Sequence, residues 1–192
     1  MTDINIQPQK AETQIRVNKS DIATRINVAG EISFDYLIGT KLADKYEIIS
    51  SLDIASGEAS LYLCEHDSQK YVAKIYRRKN SIKPEILEQL TELKSPYIVE
   101  LCDHGSVDGY TYTILPYFKN GSLASKTFSF EKIEEIIVPC VAKGLKFLHE
   151  NGIIHKDIKP ANLMLSDDSK TVKIIDTPGS FVKSVTKLEC DI

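Results

Sequence analysis

Apolar positions between residues 42 and 118 recur in short bursts with a period near two, and then the period lengthens. Tyr46-Glu47-Ile48-Ile49, continued by Leu52 and Ile54, predicts a first strand. Leu61-Tyr62-Leu63-Cys64 and Tyr71-Val72-Ala73-Lys74-Ile75-Tyr76 predict two more, joined by the polar turn from Glu65 to Lys70. From Pro84 to Leu93 the spacing is helical: Ile86, Leu90 and Leu93 share a face, and Pro84 stands near the start. Ile98 to Cys102 and Tyr112 to Leu115 predict a fourth and a fifth strand, joined around Gly109. A long helix follows from Phe130 to Asn151, where Ile133, Ile137, Val141, Leu145 and Leu148 recur and Gly152 ends the run. Pro139 interrupts that pattern, which predicts a kink or a lost backbone bond worth about 3 kcal/mol. The apolar run Gly152-Ile153-Ile154 leads into a polar loop. Beyond the turn Ser166 to Lys170, Val172-Lys173-Ile174-Ile175 completes a short hairpin that ends on Asp176.

Residues 1 to about 40 show neither period. They are polar, with Ile15, Val17, Ile22, Ile26 and Val28 too loosely spaced for helix or strand. A flexible tail is the expectation; a partner-binding or secretion-directing segment is the alternative.

Composition narrows the class. The chain has 192 residues, 42% hydrophobic and 27% charged, with a net charge of −3, which is ordinary for one globular domain or two small lobes. No basic excess points to nucleic acid, and no apolar run nears the ~18 residues of a membrane span. Cys64, Cys102, Cys140 and Cys190 lack C-x-x-C spacing, so they read as reduced thiols rather than a metal site or a disulfide framework. No apolar stretch near the start reads as a signal peptide, and no internal repeat is visible. A cytoplasmic location is expected, with delivery into a host cell as an alternative.

The chemistry concentrates in His155-Lys156-Asp157-Ile158-Lys159-Pro160-Ala161-Asn162 and in Asp176. Two carboxylates, a carboxamide and two ammonium groups on one loop and a hairpin end suit a divalent metal on a polyphosphate. The stretch resembles the H-R-D-x-K-x-x-N catalytic loop of eukaryotic-like (Hanks-type) Ser/Thr protein kinases, with Lys156 in place of Arg. The resemblance implies an α+β bilobal fold: a five-stranded antiparallel small lobe with one helix over residues 41–118, and a partial helical large lobe over 119–192. It implies ATP and Mg²⁺ as cofactors and a protein hydroxyl as acceptor. Asp157 would orient or deprotonate the hydroxyl, Lys159 would steady the phosphoryl group, and Asn162 and Asp176 would hold Mg²⁺.

Lys74 matches the V-A-I-K lysine that contacts the α- and β-phosphates, and an ammonium in a central strand needs such a partner. Ser95-Pro96-Tyr97-Ile98-Val99 is similar to the family's H-P-N-I-V, so the helix before it carries the lysine's glutamate, Glu85, with Glu88 as the alternative. Leu115 falls at the gatekeeper position. The Pro116 carbonyl and Phe118 N–H would meet adenine, and Met164 joins the nucleotide contacts. The phosphate loop departs from the family: Ile54, Ser56 and Ala59 occupy its three glycine positions, and Gly57 is the loop's one glycine. Thr177-Pro178 follows Asp176 where the family has Phe-Gly, and no A-P-E motif precedes Ile192.

In these departures the chain is similar to compact bacterial effector kinases that lean on a partner. A phosphotransferase is the expectation; a weak or inactive pseudokinase-like module, or an incomplete kinase gene product, is the alternative. The apolar stripe of the long helix predicts an activating partner or self-association on the large-lobe side.

Overall fold

The computed structural model describes residues 33–54, 56–79, 82–124 and 126–176, except for the side chains at 84 and 85. A six-stranded antiparallel sheet forms the small lobe: β1 (Lys41–Leu42), β2 (Tyr46–Leu52), β3 (Ala59–His66), β4 (Gln69–Lys79), β5 (Asp103–Val107) and β6 (Tyr110–Pro116), in the order β1-β2-β3-β4-β6-β5. Four of these, β2, β3, β4 and β6, are expected strands, and β1 adds a two-residue edge. Two hairpins close through paired left-handed residues, Asp67-Ser68 (φ 49° and 61°) and Asp108-Gly109 (φ 51° and 80°). That geometry matches the right-handed twist of the flanking strands.

Strand alternation gives the sheet two unlike faces. On the outer face Ile48, Tyr62, Cys64, Ala73, Ile75, Tyr112 and Ile114 are buried under Phe34 and Leu37. Burial pushes the Cys64 thiol up to about 11. The Tyr62 hydroxyl accepts from the Phe34 backbone N–H at 2.8 Å, and the Tyr36 hydroxyl donates to Asp108 at 2.6 Å. The boundary expected at about residue 40 therefore moves back to at least Ser33, because Phe34 and Leu37 complete the core. Residues 1–32, which carry most of the expected tail, lie outside the described residues.

The fourth strand lies later than the sequence indicates. Ile98, Val99 and Leu101 are buried, but the backbone here engages the large lobe: Val99 N–H donates to Ile174 O, and Ile174 N–H to Tyr97 O, both at 2.8 Å. Their apolar character reflects a seam between lobes. The strand itself is the more polar Asp103–Val107, which pairs only with β6. A short apolar run does not distinguish these two roles.

Helix α1 (Pro84–Glu92) starts on its proline as expected and buries Leu87 and Leu90. In the large lobe a single turn, Phe130–Lys132, capped by the Ser129 side chain, passes through a π-helical turn, Ile133–Ile137, into α2 (Val138–Glu150). Val138 N–H reaches back to Ile133 O, so Pro139 falls in the first turn of α2, where its missing donor costs little. The widened turn answers the interruption read from the sequence. Gly144 lets α2 approach the hairpin of β7 (Leu163–Leu165) and β8 (Val172–Ile174): a Cβ there would lie 2.8 Å from Ile174 Cδ1. The second core, shared by α1, α2 and the hairpin, includes Leu90, Ile98, Leu148, Leu163 and Ile174. Among the described residues, no helix is long and apolar enough to cross a membrane.

Candidate active site

The inner face of the sheet and the loop before β7 close on a cleft of about 640 Å³. Lys74 projects into it from β4, between β3 and β6, and is 8% exposed. An ammonium so buried needs a counter-charge, and its Nζ forms an ion pair with Asp176 Oδ1. The same Nζ stands 5.0 Å from the centre of the Tyr76 ring, a favourable cation–π separation. Burial first, and the Asp176 charge second, push the Tyr76 hydroxyl well above its ordinary value. Asp176 takes a left-handed backbone (φ 74°), as does Lys156 (φ 65°) beside Asp157. Two non-glycine residues in that region, one on each loop of the cleft, are the kind of local strain that functional sites retain.

Below, the loop is wired to the hairpin. His155 is buried, and its two ring nitrogens meet opposite demands. Nε2 lies 2.7 Å from Ile175 O, which can only accept, and Nδ1 lies 3.3 Å from the Asp157 backbone N–H, which can only donate. The neutral imidazole with its proton on Nε2 satisfies both. The short helical turn Pro160–Asn162 then aims Asn162 back at the loop: Nδ2 donates to Asp157 O at 2.8 Å and to Asp157 Oδ2 at 2.9 Å. Ile175 N–H donates to the Asn162 main-chain O at 3.0 Å, so the residue before Asp176 is anchored to the same asparagine. Lys159 Nζ lies 2.8 Å from Asp157 Oδ2 at the open side of the cleft. The Lys159 hydrogen bond, then that of Asn162, holds the Asp157 carboxyl below its ordinary value, and Asp157 raises Lys159 in return.

The structure thus gathers Lys74, Asp157, Lys159, Asn162 and Asp176 around one cleft, with Ile54, Ser56, Gly57, Pro116, Phe118 and Met164 along its walls. Ala59 is not on that wall: it is fully buried in β3 opposite Tyr76. The Glu85 side chain lies outside the described residues, and Glu88 is exposed on α1. Among the described side chains, the buried lysine's charged partner is Asp176, not Glu88. Thr177 and Pro178 also lie outside the described residues.

Sequence reading passed over Tyr76 and Thr113. Both hydroxyls are buried, the Thr113 side chain works against the burial that raises Tyr76, and both residues line the cleft. Strand alternation could have found Tyr76, two positions after Lys74 and therefore on its face. Thr113 pairs with Lys74 across β4 and β6, a register no single sequence displays.

A twisted antiparallel sheet above a helical lobe, with a buried lysine facing an Asp-Lys-Asn loop and a hairpin aspartate, defines a protein-kinase cleft. A family model described as "Protein kinase domain" matches residues 53–180. The chain belongs to the protein kinase family.

Curated relatives agree. SNF1-activating kinase 1 of Saccharomyces cerevisiae is 30% identical over 176 residues, 84% of this chain and 14% of that protein. Mitogen-activated protein kinase kinase 1c of Physcomitrium patens is 38% identical over 105 residues, 52% of this chain and 30% of that protein. The chain therefore spans less than a third of these relatives' lengths. Among solved structures, Rad53 1-466 in complex with AMP-PNP is similar with a TM-score of 0.62 at 23% identity, covering 70% of this chain and 38% of that one. The Mycobacterium tuberculosis PknI kinase domain gives 0.59 at 20%, covering 73% and 62%. These likenesses show the fold.

Proposed function

We propose that this chain binds MgATP and transfers the γ-phosphoryl group to a serine or threonine hydroxyl of a protein. The observation that carries the reading is the convergence of Lys74, Asp176, Asp157, Lys159 and Asn162 on one cleft. The donor set fits magnesium: the Asp176 carboxylate and the Asn162 carboxamide oxygen are hard ligands. Among the described residues no group of three His, Cys, Asp or Glu side chains could hold a metal, and magnesium commonly completes its shell with nucleotide phosphates and water. Both amide hydrogens of Asn162 are committed to Asp157, so Oδ1 is its atom for a cation. Bound magnesium would neutralise charge on the β- and γ-phosphates.

The chain's own residues do the rest. Lys74 orients the α- and β-phosphates. The Asn162 bonds hold Asp157 in place to accept the hydroxyl proton, and Lys159 lies beside it to offset charge on the transferred group. The lysine two positions after Asp157 supports serine or threonine as acceptor. Phe130, Val138 and Ile133 are 76%, 56% and 40% exposed along one helical segment, which supports a protein partner or self-association on this side.

A second reading, a nucleotide-binding module without transfer, is favoured by the phosphate loop, where Ile54 is 59% exposed in place of a glycine. Transfer of labelled phosphate from MgATP to a mixed Ser/Thr peptide pool separates the two. The first reading expects incorporation that Asp157→Asn lowers by about 10²–10⁴-fold. Incorporation in neither protein, with MgATP still bound, supports the second reading. Equal incorporation in both removes Asp157 from the mechanism.

A further inference from the structure

The phosphate loop holds a single glycine, Gly57, outside the family's three glycine positions, yet it keeps a defined course. Among its described residues, Ile54 and 56–59, none takes a left-handed backbone. A Cβ at Gly57 would meet nothing within 4 Å. The loop therefore does not use glycine's conformational freedom at these positions. Its course comes from elsewhere.

The support reaches across from β4. Arg77 N–H donates to Glu58 O at 2.9 Å, which extends the β3–β4 ladder one residue into the loop. Among the described residues the Arg77 guanidinium reaches two acceptors: Nη1 donates to Ser56 O at 2.8 Å, and Nε lies 3.3 Å from Ser60 Oγ. Main chain and side chain of one residue thus hold both sides of the tip, Ser56 before Gly57 and Glu58 and Ser60 after it. A planar guanidinium spans two acceptors at once; an ammonium on a flexible stem does not reproduce that fork. Bonds from a charged donor are also among the stronger ones a surface loop can make.

We propose that Arg77 is a positioning residue that latches the phosphate loop in its nucleotide-receiving course, doing by side-chain and main-chain bonds what glycines do elsewhere in the family. This rests on the reading of the cleft as an MgATP site. Arg77 acts through the Ser56 carbonyl, so its effect is on nucleotide affinity and not on the acceptor hydroxyl.

The test has two readouts on the full chain. In the nucleotide-free protein, amide hydrogen exchange across residues 52–61 reports the latch. It is expected to speed up at least about tenfold in Arg77→Ala, the scale of losing bonds to a charged group. The expected change is smaller in Arg77→Lys and absent in Arg78→Ala, which removes the same charge from an exposed neighbour. Titration with MgATP then reports positioning: the dissociation constant should rise about tenfold in Arg77→Ala and stay unchanged in Arg78→Ala. Parent-like loop exchange in Arg77→Ala overturns the latch. Faster exchange with an unchanged dissociation constant overturns the positioning role. Loop exchange is read without nucleotide, so the latch stands or falls even if the parent fails to bind MgATP, a result that would overturn the cleft reading instead.

Discussion

The catalytic loop and the phosphate loop face each other across the same cleft and keep their shapes by opposite means. In the first, the residue types of the family survive, and side chains fix one another: Asn162 and Lys159 both reach Asp157, and His155 ties the loop to Ile175. In the second, the family's residue types are replaced and the backbone is supported from β4 through Arg77. Chemistry that depends on a carboxylate or a carboxamide at one point tolerates little exchange. A backbone course can be enforced by several sets of bonds, and the same shape then persists under a changed sequence.

The comparison breaks most sharply at Asn162. Asn162→Ala removes both bonds to Asp157 and leaves a carbonyl of the loop without its donor, so about 1–3 kcal/mol of stability should be lost, together with phosphotransfer. Chemical denaturation measures the first quantity. A loss under about 0.5 kcal/mol would show that the catalytic loop does not depend on its side-chain wiring.

A smaller effect concerns Asp157. Its carboxyl is held below its ordinary value by Lys159 first and Asn162 second. A depressed folded-state value stabilises the fold above the ordinary carboxylate range, and that contribution is lost as pH falls through the lowered value. Lys159→Met should return the carboxyl toward its ordinary range, which a carbon-detected titration of the labelled carboxyl follows. An unmoved titration would assign the depression to other groups. Asp157 also stays ionised at neutral pH, so it should not set the acid limb of a pH–rate profile near pH 6.

The smallest effect is expected at Ile54→Gly. Restoring a family glycine should change MgATP affinity by less than about threefold, because no described residue of the loop needs glycine's backbone freedom. A gain of tenfold or more would mean that the loop is limited by its missing glycines after all.

These two regions also mark what the sequence could show. Strands β2, β3, β4 and β6, helix α1 and the hairpin were legible, because half-buried strands alternate and an amphipathic helix repeats. The catalytic-loop residues were legible because their chemistry fixes both residue type and spacing. Ile98 to Cys102 misled, since a buried interlobe seam and a buried strand share one apolar pattern. The cap formed by Phe34 and Leu37 was illegible: two apolar residues in a polar stretch acquire meaning only from the sheet they cover. Pro139 reads as an interruption until the π-helical turn before it is seen, and nothing in the sequence sets Arg77 apart from other strand-end cations. Bonds between residues distant along the chain or to main-chain carbonyls leave no periodic trace.

The central claim is that the cleft between these regions receives MgATP through Lys74 and Asp176. A thermal-shift titration with MgATP tests it most directly, on the parent and on Lys74→Met. At about 100 times the dissociation constant, bound nucleotide should add about 2.7 kcal/mol, or roughly 5–10 °C for a chain of this size. The account predicts that shift in the parent and its loss in Lys74→Met. An unshifted parent at millimolar MgATP, or an equal shift in both proteins, would contradict it.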